Sequence, residues 1–327
     1  MELILEKLAH KKEKLEAMRP LPAAQLRNLE EWYTVELTYT SNAIEGNTLT
    51  RAETALVVEK GITVKGKTLV EHLEAKNHVI ALEYVKDLVK KKHLDEDDIL
   101  KIHSLILQGI DDPSAGRYRN IPVRIAGSPV IMPNYMKVPA LMSEFSQWLR
   151  EKNSMNPVQR AAEAHYRLVS IHPFTDGNGR TSRLLMNLLL IQAGYPPAII
   201  RPEDRHEYIA ALEKAQLGGA IDDFYEVIYS AVDRSLDVYL GAEQGKEVQV
   251  APVEENDRIN RMELADLVGV RPTTVRYYTE EGLLSFAQEA EGLRRYYDRD
   301  TSVRQLQQIL MLRKKGMSIE EIKKRLQ

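Results

Sequence analysis

The sequence predicts a mainly α-helical protein with one small β-hairpin and a small helix-turn-helix domain towards its C-terminal end. Three observations carry this. Apolar residues recur at helical spacing through most of residues 1–240. One stretch, roughly 117–133, instead interleaves Ile121, Val123, Ile125, Val130 and Ile131 with Pro, Gly and Ser, the texture of a hairpin. Residues 241–257 are polar and aperiodic, which marks a linker between a 1–240 domain and a 258–327 domain.

Composition narrows the class. The chain has 327 residues, 43% hydrophobic and 28% charged, with net charge −3, the profile of a soluble globular protein large enough for two domains. It contains no cysteine, so disulfides and thiolate metal sites are excluded and a reducing cytoplasm is the expected compartment. No apolar run reaches the roughly 18–20 residues that span a bilayer, so no membrane partner is expected. The N-terminal Met-Glu-Leu-Ile-Leu-Glu-Lys-Leu mixes charge into its apolar positions and lacks a signal-peptide core.

The elements follow in order. Leu3, Leu5, Leu8 and Leu15 give residues 1–18 an amphipathic helix, stopped at Arg19-Pro20. A second helix runs from Ala24 through Trp32 and Val35 to Ser41, and Glu45-Gly46 reads as a solvated glutamate before a helix-stopping glycine. Val70–Leu88 and Asp97–Leu107 are further helices. His72, His78, His93 and His103 lack metal-ligand spacing and read as structural or surface residues. After the hairpin come a helix at Ala140–Arg150 and an apolar helical run at 161–171. A helix at Thr181–Ala193, another from Arg205 to Gln216 and a last one from Ile221 to about Leu240 complete the domain.

Residues 172–183, His-Pro-Phe-Thr-Asp-Gly-Asn-Gly-Arg-Thr-Ser-Arg, concentrate the chemistry. A glycine turn feeding a helix presents unpaired N–H groups at the positive end of that helix, an anion site for which phosphate is the usual ligand. Gly177 and Gly179 let the backbone approach a ligand closely. Arg180 and Arg183 share a helix face and can reach back to phosphate oxygens. Asp176 is a hard oxygen donor suited to a hydrated Mg²⁺, and His172 can take a proton near neutral pH. Each residue alone also fits an ordinary capped helix start with a satisfied histidine; the twelve together do not.

That stretch resembles the signature of the Fic family, His-Pro-Phe-x-[Asp/Glu]-Gly-Asn-Gly-Arg-x-x-Arg, at every fixed position. The resemblance implies a Fic helical core whose hairpin is a flap, and transfer of AMP from ATP to a Ser, Thr or Tyr hydroxyl of a target protein with release of pyrophosphate. It implies His172 as general base and Asp176 as Mg²⁺ ligand. It makes Asn178 with the backbone at Gly177 and Gly179 the phosphate cradle, and Arg180 and Arg183 the cationic pair, Arg183 on the γ-phosphate. Gly179 is intact, which favours AMP transfer over the phosphorylation that accompanies a lysine there. Ser41-x-x-x-Glu45-Gly46 resembles the family's N-terminal inhibitory motif, whose glutamate pairs with the last signature arginine, here Arg183. In some relatives that glutamate also assists removal of AMP. Tyr208 matches the first aromatic of the family's base and ribose site; Ile209 departs from the second, and Gln216 stands where asparagine is expected. The target would add a strand to the flap's exposed edge, and the chain itself is among the acceptors to test.

The C-terminal region reads as helix (258–268), a turn at Gly269-Val270, and a second helix (272–278) opened by proline. Residues 257–327 carry 14 Lys/Arg against 11 Asp/Glu, net +3, leaving −6 for the rest of a chain of net −3. This bias suits phosphate contacts without being strongly basic. Leu264–Leu284 resembles the winged helix-turn-helix of MerR-type regulators, with Gly292–Asp298 as wing and Val303–Leu326 as following helices. The resemblance implies that Thr273, Thr274, Arg276 and Tyr277 face DNA while Arg294 and Arg295 touch phosphates; a module kept for protein contacts is the alternative. The sequence stops at Gln327 without those regulators' long dimerising helix, so a homodimer would use contacts elsewhere. From another class, the chain is a DNA-binding regulator that uses its first domain as a nucleotide sensor.

Overall fold

The computed structural model describes residues 1–20, 22–151, 154–243, 258–284, 287–288, 295–314 and 317–326. They fall into two compact units, Met1–Val248 and Gln249–Gln327; the linker expected at 241–257 lies, beyond residue 243, outside the described residues.

Among the described residues, ten α-helices build the first unit: α1 (Glu2–Ala17), α2 (Ala23–Ile44), α3 (Arg51–Lys60), α4 (Leu69–Leu88), α5 (Glu96–Leu107), α6 (Val138–Arg150), α7 (Pro157–Ile171), α8 (Asn178–Gln192), α9 (Arg205–Gln216) and α10 (Asp222–Glu243). Their starts are written locally. Thr50, Thr68 and Asp95 each close a capping box that satisfies two first-turn N–H groups of α3, α4 and α5. Pro157 opens α7 behind the Asn156 cap. Two apolar clusters fill the unit. Helix α8 belongs to both, with Leu184, Leu185 and Leu188 in one and Met186 and Leu190 in the other. Its polar residues Arg180, Thr181, Ser182, Arg183 and Asn187 are buried as well. A helix buried on all sides must find partners for every polar group, so α8 can hold charge only where neighbouring helices answer it.

The hairpin expected over 117–133 is not formed: that segment contains no strand. Pro122, Pro129 and Pro133 lack the N–H a ladder needs. One turn, Ser128 N–H to the Ile125 carbonyl (3.2 Å), is its local structure, and its ends are held by a side chain, Arg119, instead of by cross-strand pairing.

The second unit comprises β1 (Arg258–Asn260), α11 (Arg261–Val268), α12 (Pro272–Glu280), β2 (Ala287–Gln288), β3 (Arg295–Asp298), α13 (Arg299–Lys314) and α14 (Ile319–Leu326). The strands form an antiparallel sheet in the order β1-β3-β2. The helix expected from 258 therefore starts three residues later, because Ile259 pairs with Tyr297 and both side chains are buried. Apolar residues of α11, α12, α13 and α14 close a separate core around them.

Leu188→Ala tests the central place of α8. Truncating a side chain of zero exposure leaves a cavity between packed helices, and a loss of ~2–5 kcal/mol is expected in urea unfolding of the first unit.

Candidate active site

The site is the junction of α7 and α8. Helix α7 ends at His172, which adopts a left-handed conformation (φ 50°, ψ 57°) rare for a residue with a Cβ. This turns the chain sharply before Pro173. Phe174 then buries its ring completely. Asn178, four residues on, receives the Phe174 N–H on Oδ1 (3.0 Å) and donates Nδ2 to the Phe174 carbonyl (2.9 Å). Its amide thus closes the turn from inside. Gly177, at φ 77°, is the N-cap of α8 and offers no side-chain acceptor to the first-turn N–H groups, so they remain available for an anion.

A second layer fixes the turn. The His103 ring stacks on Phe174, centroids 3.6 Å apart and planes within 4°. The Gly116 N–H donates to His103 Nδ1 (3.0 Å), which leaves Nε2 as the donor to the Asp176 carbonyl (2.9 Å). A Cβ on Gly177 would come within 3.2 Å of this ring, so glycine there serves packing as well as conformation. Burial pulls the His103 pKa down to about 4.

His172 is half-buried. Its Nδ1 lies 3.2 Å from the Val169 carbonyl, which can only accept, so Nδ1 carries the hydrogen and Nε2 keeps a free lone pair. Burial lowers its pKa, with the Val169 carbonyl opposing and the Arg119 charge adding to the effect. The lowered pKa favours the neutral imidazole.

Asp176 projects outward, its side chain 66% exposed. One oxygen takes the Gly177 N–H (2.6 Å) and the other faces Arg180 Nη2 (3.0 Å). Among the described residues, no group of three or more His, Asp or Glu is placed to hold a metal. Asp176 is a single accessible hard-oxygen donor, which fits Mg²⁺, an ion that keeps most of its waters and takes further oxygens from phosphates. Arg180 is buried between Asp176 and Glu74 of α4, Nη1 lying 2.7 Å from Glu74 Oε1.

Arg183, 5% exposed, is gripped by α2. Its Nε donates to Ser41 Oγ (3.0 Å), and Nη2 donates to the Ser41 carbonyl (2.9 Å) and to Glu45 Oε1 (2.7 Å). Burial alone would lower its pKa; Glu45 and Tyr208 together outweigh burial and raise it. The Glu45 carboxylate lies against Gly179, where even a Cβ would strike Oε1. A carboxylate therefore stands at the mouth of the α8 anion site and on the guanidinium beside it. Gly46, at φ 101°, turns the chain away immediately after.

The remaining predicted residues fall elsewhere. Tyr208 is 1% exposed, its hydroxyl 2.8 Å from His165 Nε2 and 3.5 Å from Arg183 Nη1. It supports the arginine from beneath and presents no ring face to solvent. Gln216, at the end of α9, donates to Ser170 Oγ (3.2 Å), two residues before His172. In the second unit, α12 exposes Thr273, Arg276 and Tyr277, with Thr274 half-buried and Tyr278 in the core. Arg276 pairs with Glu280 at 2.7 Å. Arg295 opens β3; Arg294 lies outside the described residues.

Sequence reasoning left out Glu74, Arg119 and His165, and read His103 only as structural or surface, without its place under the turn. Each acts through a partner distant in sequence, and only the Gly116-Arg-Tyr-Arg-Asn run hinted at one of them.

The Fic/DOC family model matches residues 93–190, and the MerR HTH family regulatory protein model matches residues 262–327. "Protein adenylyltransferase Fic" of Nematostella vectensis is 40% identical over 246 residues, 73% of this chain and 56% of that protein. The protein of the same name in Drosophila melanogaster is 37% identical over 282 residues, 84% of this chain and 56% of its own length. The chain thus spans about half the length of the curated relatives it matches. Among solved structures, Fic-1 (aa134–508) from C. elegans superposes with TM-score 0.67 at 35% identity, covering 74% of this chain and 72% of that one. A Fic domain containing signaling protein from Bacteroides thetaiotaomicron gives TM-score 0.67 at 30% identity, covering 75% and 99%. The chain belongs to the Fic/DOC family.

The buried histidines predict a pH response. His78 and His165 are pushed to about 3 by burial, and His103 to about 4. These folded values lie below the unfolded one near 6.5, so below that pH the unfolded state binds more protons. Their contribution to stability is fully present above about pH 6.5 and falls as pH drops towards 4, by up to ~1.4 kcal/mol per pH unit for each histidine. Urea unfolding between pH 4 and 7 should show this slope, reduced in His103→Gln.

Proposed function

We propose that the chain is an autoinhibited protein adenylyltransferase, moving AMP from ATP to a Ser, Thr or Tyr hydroxyl of another protein or of itself. The observation that carries the reading is the set built by one turn: a neutral base with a free Nε2, an uncapped helix N-terminus, and two buried arginines. Membership of the family and relatives named protein adenylyltransferase support it.

The chemistry follows from these groups. The acceptor oxygen attacks the α-phosphorus, a P–O bond forms, and the bond to the β-phosphate oxygen breaks to release pyrophosphate. The hydroxyl proton passes to His172 Nε2, and the resulting imidazolium keeps its Nδ1–H on the Val169 carbonyl. First-turn N–H groups of α8 hold phosphate oxygens as charge develops, and Arg183 takes the γ-phosphate. Mg²⁺ held by Asp176 would supply charge neutralisation on the phosphates. Asn178 keeps the turn in shape through Phe174, which holds the cradle's backbone in place. Gln216 borders the proposed nucleotide site, and Tyr208 serves it through Arg183.

Glu45 inhibits by competition. It holds Arg183 at 2.7 Å and lies where the γ-phosphate must come. Glu45→Gly should raise labelled-AMP incorporation into the chain and into lysate proteins by roughly 5- to 150-fold, the range for a coupling of ~1–3 kcal/mol. Adding His172→Ala should remove most of it, roughly 10²- to 10⁴-fold. A double variant that still labels would rule out His172 as the base. No labelling from any nucleotide, with nucleotide still bound, would shift the reading to a nucleotide sensor.

The MerR match and the exposed face of α12 favour DNA as a further partner. Duplexes selected from a random pool should bind the intact chain, and Arg276→Ala should weaken them by ~1–3 kcal/mol if it reads a base, or with a salt slope lower by about one if it meets a phosphate. Unchanged affinity would remove Arg276 from the interface.

A further inference from the structure

Arg119 lies between α5 and α6 and is 3% exposed, yet no ion pair among the described residues includes it. Burial is the cause given for its lowered pKa, with no carboxylate opposing it. Its guanidinium is answered by backbone alone. Nε donates to the His172 carbonyl (2.7 Å), Nη1 to the Ile121 carbonyl (3.2 Å) and Nη2 to the Pro133 carbonyl (2.6 Å). Its own N–H donates to the Pro173 carbonyl (2.9 Å). Burying a cation against carbonyls only is costly, so the sequence would shed it unless the fork did something apolar packing cannot. What it does is join three places. It grips the base's own peptide unit, the first residues of the 121–133 segment, and the last.

The two ends matter because of what lies between them. The segment forms no strand and shows apolar side chains to solvent, Ile121 at 53% and Ile131 at 93%. The third place matters because His172 occupies a backbone conformation that costs a non-glycine residue ~1–2 kcal/mol. A strained peptide keeps its orientation only when surrounding bonds over-determine it, and two Arg119 hydrogen bonds do so, at the carbonyls of His172 and Pro173.

We infer that Arg119 is a positioning residue that locks the base His172 in register with the exposed 121–133 segment, the flap on which the family resemblance already places the acceptor. The inference rests on the transferase reading. A hydroxyl presented by a chain lying on 121–133 arrives at a fixed offset from Nε2, because one guanidinium measures both. Orientation of this kind is worth large factors, with a misplacement of about 1 Å costing roughly 10²-fold. The charge has a second effect. Together with burial it opposes protonation of His172, against the Val169 carbonyl, Glu45 and Asp176, which favour it.

The test uses the full chain carrying Glu45→Gly, with Arg119→Gln and Arg119→Lys added separately. Neither side chain spans three carbonyls, and only lysine keeps the charge. A fluorescent ATP analogue with Mg²⁺ reports nucleotide affinity, labelled AMP on the chain and on lysate proteins reports transfer, and hydrogen exchange reports residues 119–134 and 171–174. Expected are transfer reduced roughly tenfold or more in both variants, nucleotide affinity within about twofold of the parent, and faster exchange in both segments together while the middle of α7 keeps its protection. The acid limb of the rate profile should move to higher pH in Arg119→Gln and stay in Arg119→Lys. Transfer at the parent rate, exchange rising in 119–134 without 171–174, or nucleotide affinity lost in proportion to transfer would each overturn the inference. If the glutamine variant does not fold, the lysine variant decides. If no variant labels anything, the transferase reading fails, and the exchange result still decides whether the register lock exists.

Discussion

Everything in the site depends on a guanidinium that the fold has taken out of water. Arg183 sits on a helix buried on every side, and its charge is tolerable only because α2 brings Ser41 and Glu45 to it and α9 brings Tyr208 beneath it. An unpaired cation there would cost several kcal/mol. The arginine therefore always needs an anion, and the design question is which one. In this structure it is the carboxylate of the same chain. Phosphate is the other candidate of matching charge and geometry, since both present oxygens that a planar fork can grip.

The rest of the turn is arranged so that this choice is made at one point. Asn178, His103 and Phe174 lock the path of residues 172–178 with side-chain to backbone bonds and a stacked ring pair. Arg180 is tied to Glu74 and Asp176. Little of the cradle needs to move when Glu45 leaves. The carboxylate, by contrast, hangs on the first residue after α2, with a glycine at φ 101° behind it.

Legibility of the fold in the sequence followed the range of the interactions. Helices declared themselves through the spacing of their apolar residues, which is a local signal, whereas the capping boxes at Thr50, Thr68 and Asp95 emerged only in the structure. The motif at 172–183 was readable because a histidine, a glycine turn and two arginines cluster within twelve residues. Pairing of Glu45 with Arg183 was an expectation drawn from family resemblance, and the 2.7 Å contact realises it across 138 positions of sequence. The hairpin at 117–133 was misjudged because alternation of Ile, Val and Pro describes an extended chain equally well with or without a ladder. What settles its path is Arg119, whose partners at 133 and 172 no local pattern announces. His103 and Tyr208 show the same limit. Their roles come from which helix they face, and Tyr208, expected at a ligand, was placed under the arginine by core packing.

Under the proposed autoinhibition, the Glu45–Arg183 pair would respond to its surroundings in a particular way. Both partners belong to a single polypeptide, so the carboxylate meets its guanidinium at an effective concentration fixed by α2 and not by the number of molecules present. Dilution leaves the contact intact, and a tenfold change in expression alters the amount of inhibited protein without altering the inhibited fraction. Release has to come from a rise in a competing anion or from something that pulls on α2. The pair behaves as a threshold built into each molecule separately, reading chemistry outside the chain and indifferent to its own abundance.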